Sequence, residues 1–189
     1  MSDAAELPDS YRRDDTIDLK KDRKLALAVQ GGFVLLAVIA VVVALLLTPT
    51  LSLQTEWHPF VTIVVTVVAC LLYLIVHEAT HGVVLQLISK VKPSYRMRFP
   101  FLTTGGNAYL TPRSAIIVAL APLVIWAVVL IIALLLVPQD WRLTVYVVLA
   151  LNVAGSSGDL VEAWVLSRQR RDALVQDDGD KIHVFHPVG

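Results

Sequence analysis

Four long apolar stretches constrain the fold of this 189-residue chain more than any other feature. They cover Leu25 to Leu47, Pro59 to Ile88, Ser114 to Val137 and Arg142 to Leu166. Each meets the requirement of about 20 residues for a helix that spans a bilayer, and none alternates like a strand of a β-barrel. The chain is 56% hydrophobic with a mean hydropathy of +0.68, which is too apolar for a soluble domain. We therefore predict an all-α membrane protein with four transmembrane helices.

Basic residues are unevenly distributed among the segments that flank these stretches. Residues 48–58 contain no Lys or Arg, whereas both are frequent between the second and third stretches and after the fourth. The positive-inside rule therefore places both termini and the middle segment in the cytoplasm. Trp57 and Trp141 then fall at the outer interface, where aromatic residues are enriched. We predict a multi-pass protein of the cell membrane whose basic middle segment lies on lipid headgroups and binds no nucleic acid.

The polar segments divide the chain into three parts. Residues 1–24 lack the apolar core of a secretory signal peptide, so we interpret them as a solvated, partly disordered cytoplasmic N-terminal tail. Residues 25–166 form the four-helix transmembrane domain, and residues 167–189 form a cytoplasmic C-terminal tail. In that tail, Asp177–Asp180 predicts a polar turn leading to a short strand at Ile182–His186.

The middle segment has the pattern of a short β-hairpin. Apolar and basic residues alternate at Tyr95–Phe99, and Thr103–Asn107 supplies turn residues before Ala108–Leu110. We predict a short cytoplasmic hairpin between the second and third helices, and an amphipathic loop on the headgroups is the alternative. Thr111 is expected to cap the third helix ahead of a proline, and Pro122 is expected to kink it.

The second stretch contains His77-Glu78-Ala79-Thr80-His81, an H-E-x-x-H motif. On a helix, residues four apart share a face, so both imidazoles can bind one cation while Glu78 lies beside them. An ionisable group at the centre of a bilayer costs about 2.5 to 3.5 kcal/mol on a translocon scale, so such groups usually have a function. The spacing predicts a zinc hydrolase site. A histidine satisfied by neighbouring helices would account for one ring but not for the whole set.

A catalytic zinc site needs a third protein ligand, and the acids at membrane depth are Asp159 and Glu162 in the fourth stretch. His77 and Asp159 follow Trp57 and Trp141, respectively, by nearly equal numbers of residues, so their predicted heights differ by only about 3 Å. Both lie toward the cytoplasmic end of the hydrocarbon layer.

We favour Asp159 over Glu162 as the third ligand, although both remain candidates. Glu162 lies one turn nearer the cytoplasm and could extend into the headgroups. The small residues at 155–158 would bring the backbone next to Asp159 close to a neighbouring helix.

These motifs resemble those of a known family. The segment His77–Gly82, followed by a helix with Gly158-Asp159, resembles the putative zincin peptidases, formerly a domain of unknown function. That family is similar to the site-2 protease class of intramembrane metalloproteases. The resemblance covers about residues 60–166. The site-2 class has Asn, then Pro, then Leu-Asp-Gly, whereas here Asn152 precedes a Gly/Ser run. Asn152 could hydrogen-bond an oxyanion or a neighbouring helix, and we favour the neighbouring helix.

The resemblance implies a three-helix core in which His77, His81 and Asp159 bind Zn²⁺ and Glu78 acts on the bound water. The expected reaction is hydrolysis of a peptide bond, in a peptide or a membrane-protein substrate, near the cytoplasmic face. In the site-2 class a hairpin pairs with the extended substrate, which implies that role for the predicted hairpin.

Two other functions remain as alternatives. A non-catalytic scaffold or binding protein could retain the metal site, but a structural zinc has no use for Glu78. A metal or proton transporter is disfavoured because four spans without a repeat, with ionisable groups at one depth, do not trace a path.

Overall fold

A computed structural model describes residues 3–98 and 101–188, without the side chains of residues 48–50, 96–98 and 101–102. The helices are α1 (Arg23–Leu51), α2 (Pro59–Ser89), α3 (Pro112–Leu136), α4 (Gln139–Gly155) and α5 (Ser157–Ser167). The strands are β1 (Tyr11–Ile17), β2 (Ser94–Arg98), β3 (Phe101–Gly105), β4 (Leu174–Asp177) and β5 (Ile182–Pro187).

Among the described residues, four helical segments are long and apolar enough to cross a membrane, in agreement with the four predicted spans. The first three segments lie in α1, α2 and α3, and the fourth combines α4 and α5. This last span is interrupted at Ser156, whose backbone lies at φ −75° and ψ 10°. The surrounding run of Gly and Ser has low helix propensity, which accounts for the interruption.

The third helix begins as the sequence predicted. Pro112 is its first residue, and the Thr111 hydroxyl accepts a hydrogen bond from the Ser114 amide at 3.2 Å. This contact satisfies one of the amides that a helix start leaves without an internal partner. Pro122 lies inside α3, and the kink predicted there stays a prediction.

The chain is mostly helical, as predicted, and within the described residues its strands form two small sheets. Strands β1, β5 and β4 form a three-stranded antiparallel sheet in that order, and β2 pairs with β3. The short strand predicted after the acidic turn is confirmed as β5. Residues 11–17, predicted to be part of a solvated tail, instead pair with β5 from Tyr11↔Pro187 to Ile17↔Ile182.

The two strands between α2 and α3 pair antiparallel from Ser94↔Gly105 to Arg98↔Phe101. The predicted position of the turn is wrong, because Thr103, Thr104 and Gly105 lie in β3. Two β-branched residues favour a strand there. Residues 99–100, between the strands, lie outside the described part of the chain, and the cytoplasmic placement of the strands stays a prediction.

The chain divides into two compact units, and the division passes through α1, α2 and α3 and after the first residue of α5. The first unit comprises the described residues of Met1–Val29, Glu78–Ala121 and Gly158–Gly189, which include the five described strands and α5 from Gly158 onward. Its hydrophobic core joins the end of α2 and α5 to the three-stranded sheet. Buried members of this core include Leu85, Leu110, Leu166, Val175 and Val184.

The second unit comprises Gln30–His77 and Pro122–Ser157. Leu53, Leu134 and Tyr146 are the buried residues of its core cluster. Trp57 and Trp141 pack edge to face with ring centroids 4.9 Å apart, so the beginnings of α2 and α4 lie side by side.

Candidate metal centre

His81 lies on α2 in the first unit, where its two ring nitrogens face different oxygen atoms. Nδ1 lies 3.0 Å from the main-chain oxygen of Val118 in α3, and Nε2 lies 3.6 Å from Oδ1 of Asp159 in α5. A carbonyl oxygen can only accept a hydrogen bond, so Nδ1 carries the proton. In the neutral ring the lone pair is therefore on Nε2, on the side of Asp159.

His77 lies one helical turn before His81 in the sequence of α2. The side chain of His77 is buried, with 9% of the residue exposed. Its Nδ1 lies 3.0 Å from the hydroxyl oxygen of Tyr73, one turn earlier on the same helix.

A chain of hydrogen bonds in the second unit fixes the proton on His77. The Asn152 Nδ2 donates to the main-chain oxygen of Leu123 at 3.1 Å, which turns Oδ1 of this fully buried amide toward Tyr73. The Tyr73 hydroxyl donates to that Oδ1 at 2.5 Å. The Tyr73 oxygen is then left to accept from Nδ1 of His77, so the lone pair of this imidazole is also on Nε2.

Sequence reasoning missed Tyr73, although the signal was present. Tyr73, His77 and His81 recur at intervals of four residues, which places them on one face of α2. The expectation for Asn152 is confirmed, because its side chain bonds residues of two neighbouring helices.

Glu78 is held by the strand pair that follows α2. The hydroxyl of Thr104, in β3, lies 2.8 Å from the main-chain oxygen of Glu78 and 3.0 Å from its Oε2. One hydroxyl therefore contacts both the helix backbone and the carboxylate. Sequence reasoning placed Thr104 in a turn and assigned it no role at the site.

The two candidate acids of the fourth span occupy successive turns of α5. Asp159 is in the first turn and has the 3.6 Å contact with His81. Glu162 is one turn further along α5 and lines the same cavity as His81 and Asp159. The geometry of the first unit thus favours Asp159 as the partner of His81.

A cavity of about 260 Å³ in the first unit opens beside these side chains. Its lining includes the acidic residues Glu78, Asp159, Glu162 and Asp177, together with His81. Burial among the cavity walls is the main cause that raises the pKa of Asp177 to about 6; nearby carboxylates, including that of Glu78, act in the same direction, and a hydrogen bond from the Gly179 amide opposes them. Part of Asp177 nevertheless remains exposed to solvent at the end of β4.

The donor atoms of these side chains fit a zinc ion. Imidazole nitrogen and carboxylate oxygen are ordinary zinc ligands, and both histidines carry the proton on Nδ1, which leaves Nε2 as the donor atom. Hydrogen bonds from the second ring nitrogen to an oxygen atom are typical of histidines that bind zinc.

A family model described as "Putative zincin peptidase" matches residues 70–174, more than half of the chain. The matched segment includes the H-E-x-x-H motif, both strands β2 and β3, and Asp159. Searches of the curated proteins and of the solved structures found no match.

Proposed function

The chain belongs to the putative zincin peptidase family, and we propose that it is a zinc-dependent intramembrane metalloprotease that cleaves peptide bonds near the cytoplasmic face. The family indicates a zinc metallopeptidase, and four apolar helices indicate a multi-pass membrane protein. The observation that carries the proposal is the 3.6 Å contact between His81 and Asp159, which joins the second and fourth spans at the H-E-x-x-H motif.

In this proposal His77, His81 and Asp159 hold the zinc ion. A bound zinc ion would lower the pKa of a water ligand and polarise the carbonyl of the substrate. The hydrogen bonds from the two Nδ1 atoms, to Tyr73 and to the Val118 carbonyl, keep both rings in the orientation and tautomer that ligation needs.

Glu78 is the proposed general base and acid. Its Oε2 takes a proton from the attacking water and later delivers that proton to the leaving amine. The Thr104 hydroxyl, 3.0 Å from the same oxygen atom, restrains the carboxylate for both transfers.

The arrangement in the membrane follows from charge and belongs to the same proposal. Basic residues between α2 and α3 and after α5 support a cell-membrane protein with both termini, and strands β2 and β3, in the cytoplasm. Residues 25–166 then form the protease domain, and the segments 1–24 and 167–189 are cytoplasmic. The substrate is a peptide or a membrane protein, and the similarity to site-2 proteases rests on the motifs.

Metal analysis of purified variants tests the ligand set. We expect equimolar zinc in the wild type and in Glu162→Ala, and loss of zinc in His77→Ala and Asp159→Ala. Glu162→Ala is the matched control, because it removes an acid one turn from Asp159 on the same helix. Zinc retained by Asp159→Ala would overturn the assignment of the third ligand.

Glu78→Gln tests catalysis separately from metal binding. We expect this variant to keep its zinc and to lose cleavage of a quenched fluorescent peptide library in nanodiscs. If wild type and Glu78→Gln both hold zinc and neither cleaves, the alternative of a non-catalytic scaffold with a metal site is supported instead.

A further inference from the structure

Pro122 is a fully buried residue within α3. In an α-helix each carbonyl oxygen accepts a hydrogen bond from the amide four residues later. Proline has no amide hydrogen, so Pro122 cannot donate to the oxygen of Val118. That oxygen is the one that lies 3.0 Å from Nδ1 of His81.

We propose that Pro122 is a positioning residue for His81. By withholding the helical donor, it leaves the Val118 carbonyl as the acceptor for the Nδ1 proton of His81. This hydrogen bond fixes the tautomer of the imidazole and directs its Nε2 toward Asp159. The inference rests on the proposed function only for the identity of the ion that Nε2 binds.

The position of the proline distinguishes this role from that of a simple kink. A kink needs only a break in the hydrogen-bond ladder, whatever the freed carbonyl then contacts. Here the freed carbonyl is the one that contacts a histidine of the H-E-x-x-H motif. A proline one residue earlier or later along α3 would free a carbonyl that points to a different side of the helix.

Two substitutions restore the missing amide with different effects on the shape of the helix. Pro122→Ala supplies the donor and favours a regular helix, whereas Pro122→Gly supplies the donor and keeps the helix easy to bend. In both, the restored amide competes with His81 for the Val118 oxygen. Pro112→Ala is the matched control, because Pro112 is the first residue of the same helix, where an amide has no helical acceptor.

The primary measurement is the histidine tautomer in the metal-free, full-length protein in nanodiscs. Long-range ¹H–¹⁵N spectra of ¹⁵N-histidine protein report the protonated nitrogen, and the His81 signal is assigned by its loss in His81→Ala. We expect the Nδ1–H form in the wild type and in Pro112→Ala, and a mixture with the Nε2–H form in both Pro122 variants.

Zinc affinity, measured by chelator competition, is the second readout. We expect both Pro122 variants to bind zinc roughly tenfold more weakly, the usual size of an effect from a partner of a ligand. Their thermal stability should stay close to that of the wild type, because the gain in helix propensity offsets the loss of a buried ring. A general loss of structure would instead lower stability and zinc affinity together.

The inference is wrong if wild-type His81 is protonated on Nε2, or if the folded Pro122 variants keep the wild-type tautomer and zinc affinity. The wild-type spectrum alone decides the first point, even if a variant fails to fold. A wild type that shows the Nδ1–H tautomer but binds no zinc would contradict the proposed function and leave the hydrogen bond established.

Discussion

At the scale of single residues, the candidate centre depends on side chains and carbonyls that do not bind metal. His77 and His81 each use Nδ1 for a hydrogen bond, to the Tyr73 hydroxyl and to the Val118 carbonyl respectively. These partners hold the rings and decide which nitrogen carries the lone pair. Substitutions outside the ligand set should therefore change metal affinity.

Tyr73→Phe tests this dependence. Removing the hydroxyl takes a hydrogen-bond partner from Nδ1 of His77 and from the buried Oδ1 of Asn152. We expect zinc affinity to fall about 10- to 100-fold and the free energy of unfolding to fall by about 1–3 kcal/mol. Chelator competition and thermal unfolding of the detergent-solubilised protein measure the two effects.

Tyr146→Phe is the control for Tyr73→Phe, because the Tyr146 hydroxyl also donates a hydrogen bond, to the main-chain oxygen of Ala40. This hydrogen bond involves neither histidine, so removing the Tyr146 hydroxyl should lower the stability and leave the zinc affinity unchanged. Equal zinc affinities for Tyr73→Phe and the wild type would show that the Tyr73 hydroxyl does not hold His77.

At the scale of elements, β3 connects the H-E-x-x-H helix to the three-stranded sheet. Thr104 of β3 bonds Glu78, and the Gly106 amide donates to the main-chain oxygen of Asp177 at 2.9 Å. A Cβ atom at Gly105 would lie 2.4 Å from the main-chain carbon of Asp178. The backbone of β3 can approach the turn between β4 and β5 this closely only because residue 105 is glycine.

Gly105→Ala should therefore displace β3 from the sheet, because backbone atoms on both sides would have to move. We expect a lower unfolding temperature and, since Thr104 moves with its strand, weaker cleavage with zinc retained. Gly158→Ala is the matched control, since a Cβ atom there meets no atom within 4 Å and alanine favours the helix. An unfolding temperature for Gly105→Ala equal to that of the wild type would contradict this account of the contact.

The elements differ in how far the sequence could predict them. The four spans were predictable, since roughly 20 apolar residues in a row leave a helix as the main option. Strand β3 was not, because Thr103-Thr104-Gly105 suits a turn as well as a strand, and its contacts with residues 177–179 decide the outcome. Strand β1 was missed because the charged run Arg12–Asp15 shows no apolar alternation, and its pairing partner lies about 170 residues away.

The ligand candidates show the same contrast. Helix geometry alone predicts that His77 and His81, four residues apart, share a face of α2. It also predicts that His77 and Asp159, counted from Trp57 and Trp141, lie at similar heights, so both expectations were available from the sequence. The Tyr73–Asn152–Leu123 hydrogen bonds and the contact of His81 with Val118 join different helices. No spacing along the chain encodes which side chains of neighbouring helices face each other.

At the scale of the whole molecule, the first unit brings the two ends of the chain together. β1 and β5 pair along their lengths, and Leu110 forms a bridge with Val175 of β4. The cavity that contains Glu78 and His81 is therefore lined partly by the terminal segments, including Asp177 at the end of β4. The stability of this unit should depend on the charge state of its acidic residues.

The raised pKa of Asp177 predicts how the stability of the fold depends on pH. Its pKa is raised from 3.8 to about 6 in the folded protein, so between these values the folded state holds a proton that the unfolded chain has released. The free energy of unfolding must then fall as pH rises from about 4 to about 6, and the penalty persists above that range. Asp177→Asn removes the penalty, so it should raise the unfolding temperature at pH 8 and leave it unchanged near pH 3.

Asp178, the next residue, provides a control of opposite sign. Burial acts to raise the pKa of Asp178, but hydrogen bonds from the Lys181 and Asp180 amides and from His183 outweigh it, so the pKa is lowered. This carboxylate stabilises the fold above its unfolded pKa, and the stabilisation is lost as pH falls through the folded value. Asp178→Asn should therefore lower the unfolding temperature at pH 8, where Asp177→Asn raises it. Thermal unfolding of both variants in the same detergent decides the matter, and a drop at pH 8 for Asp177→Asn would show that its carboxylate is stabilised in the cavity.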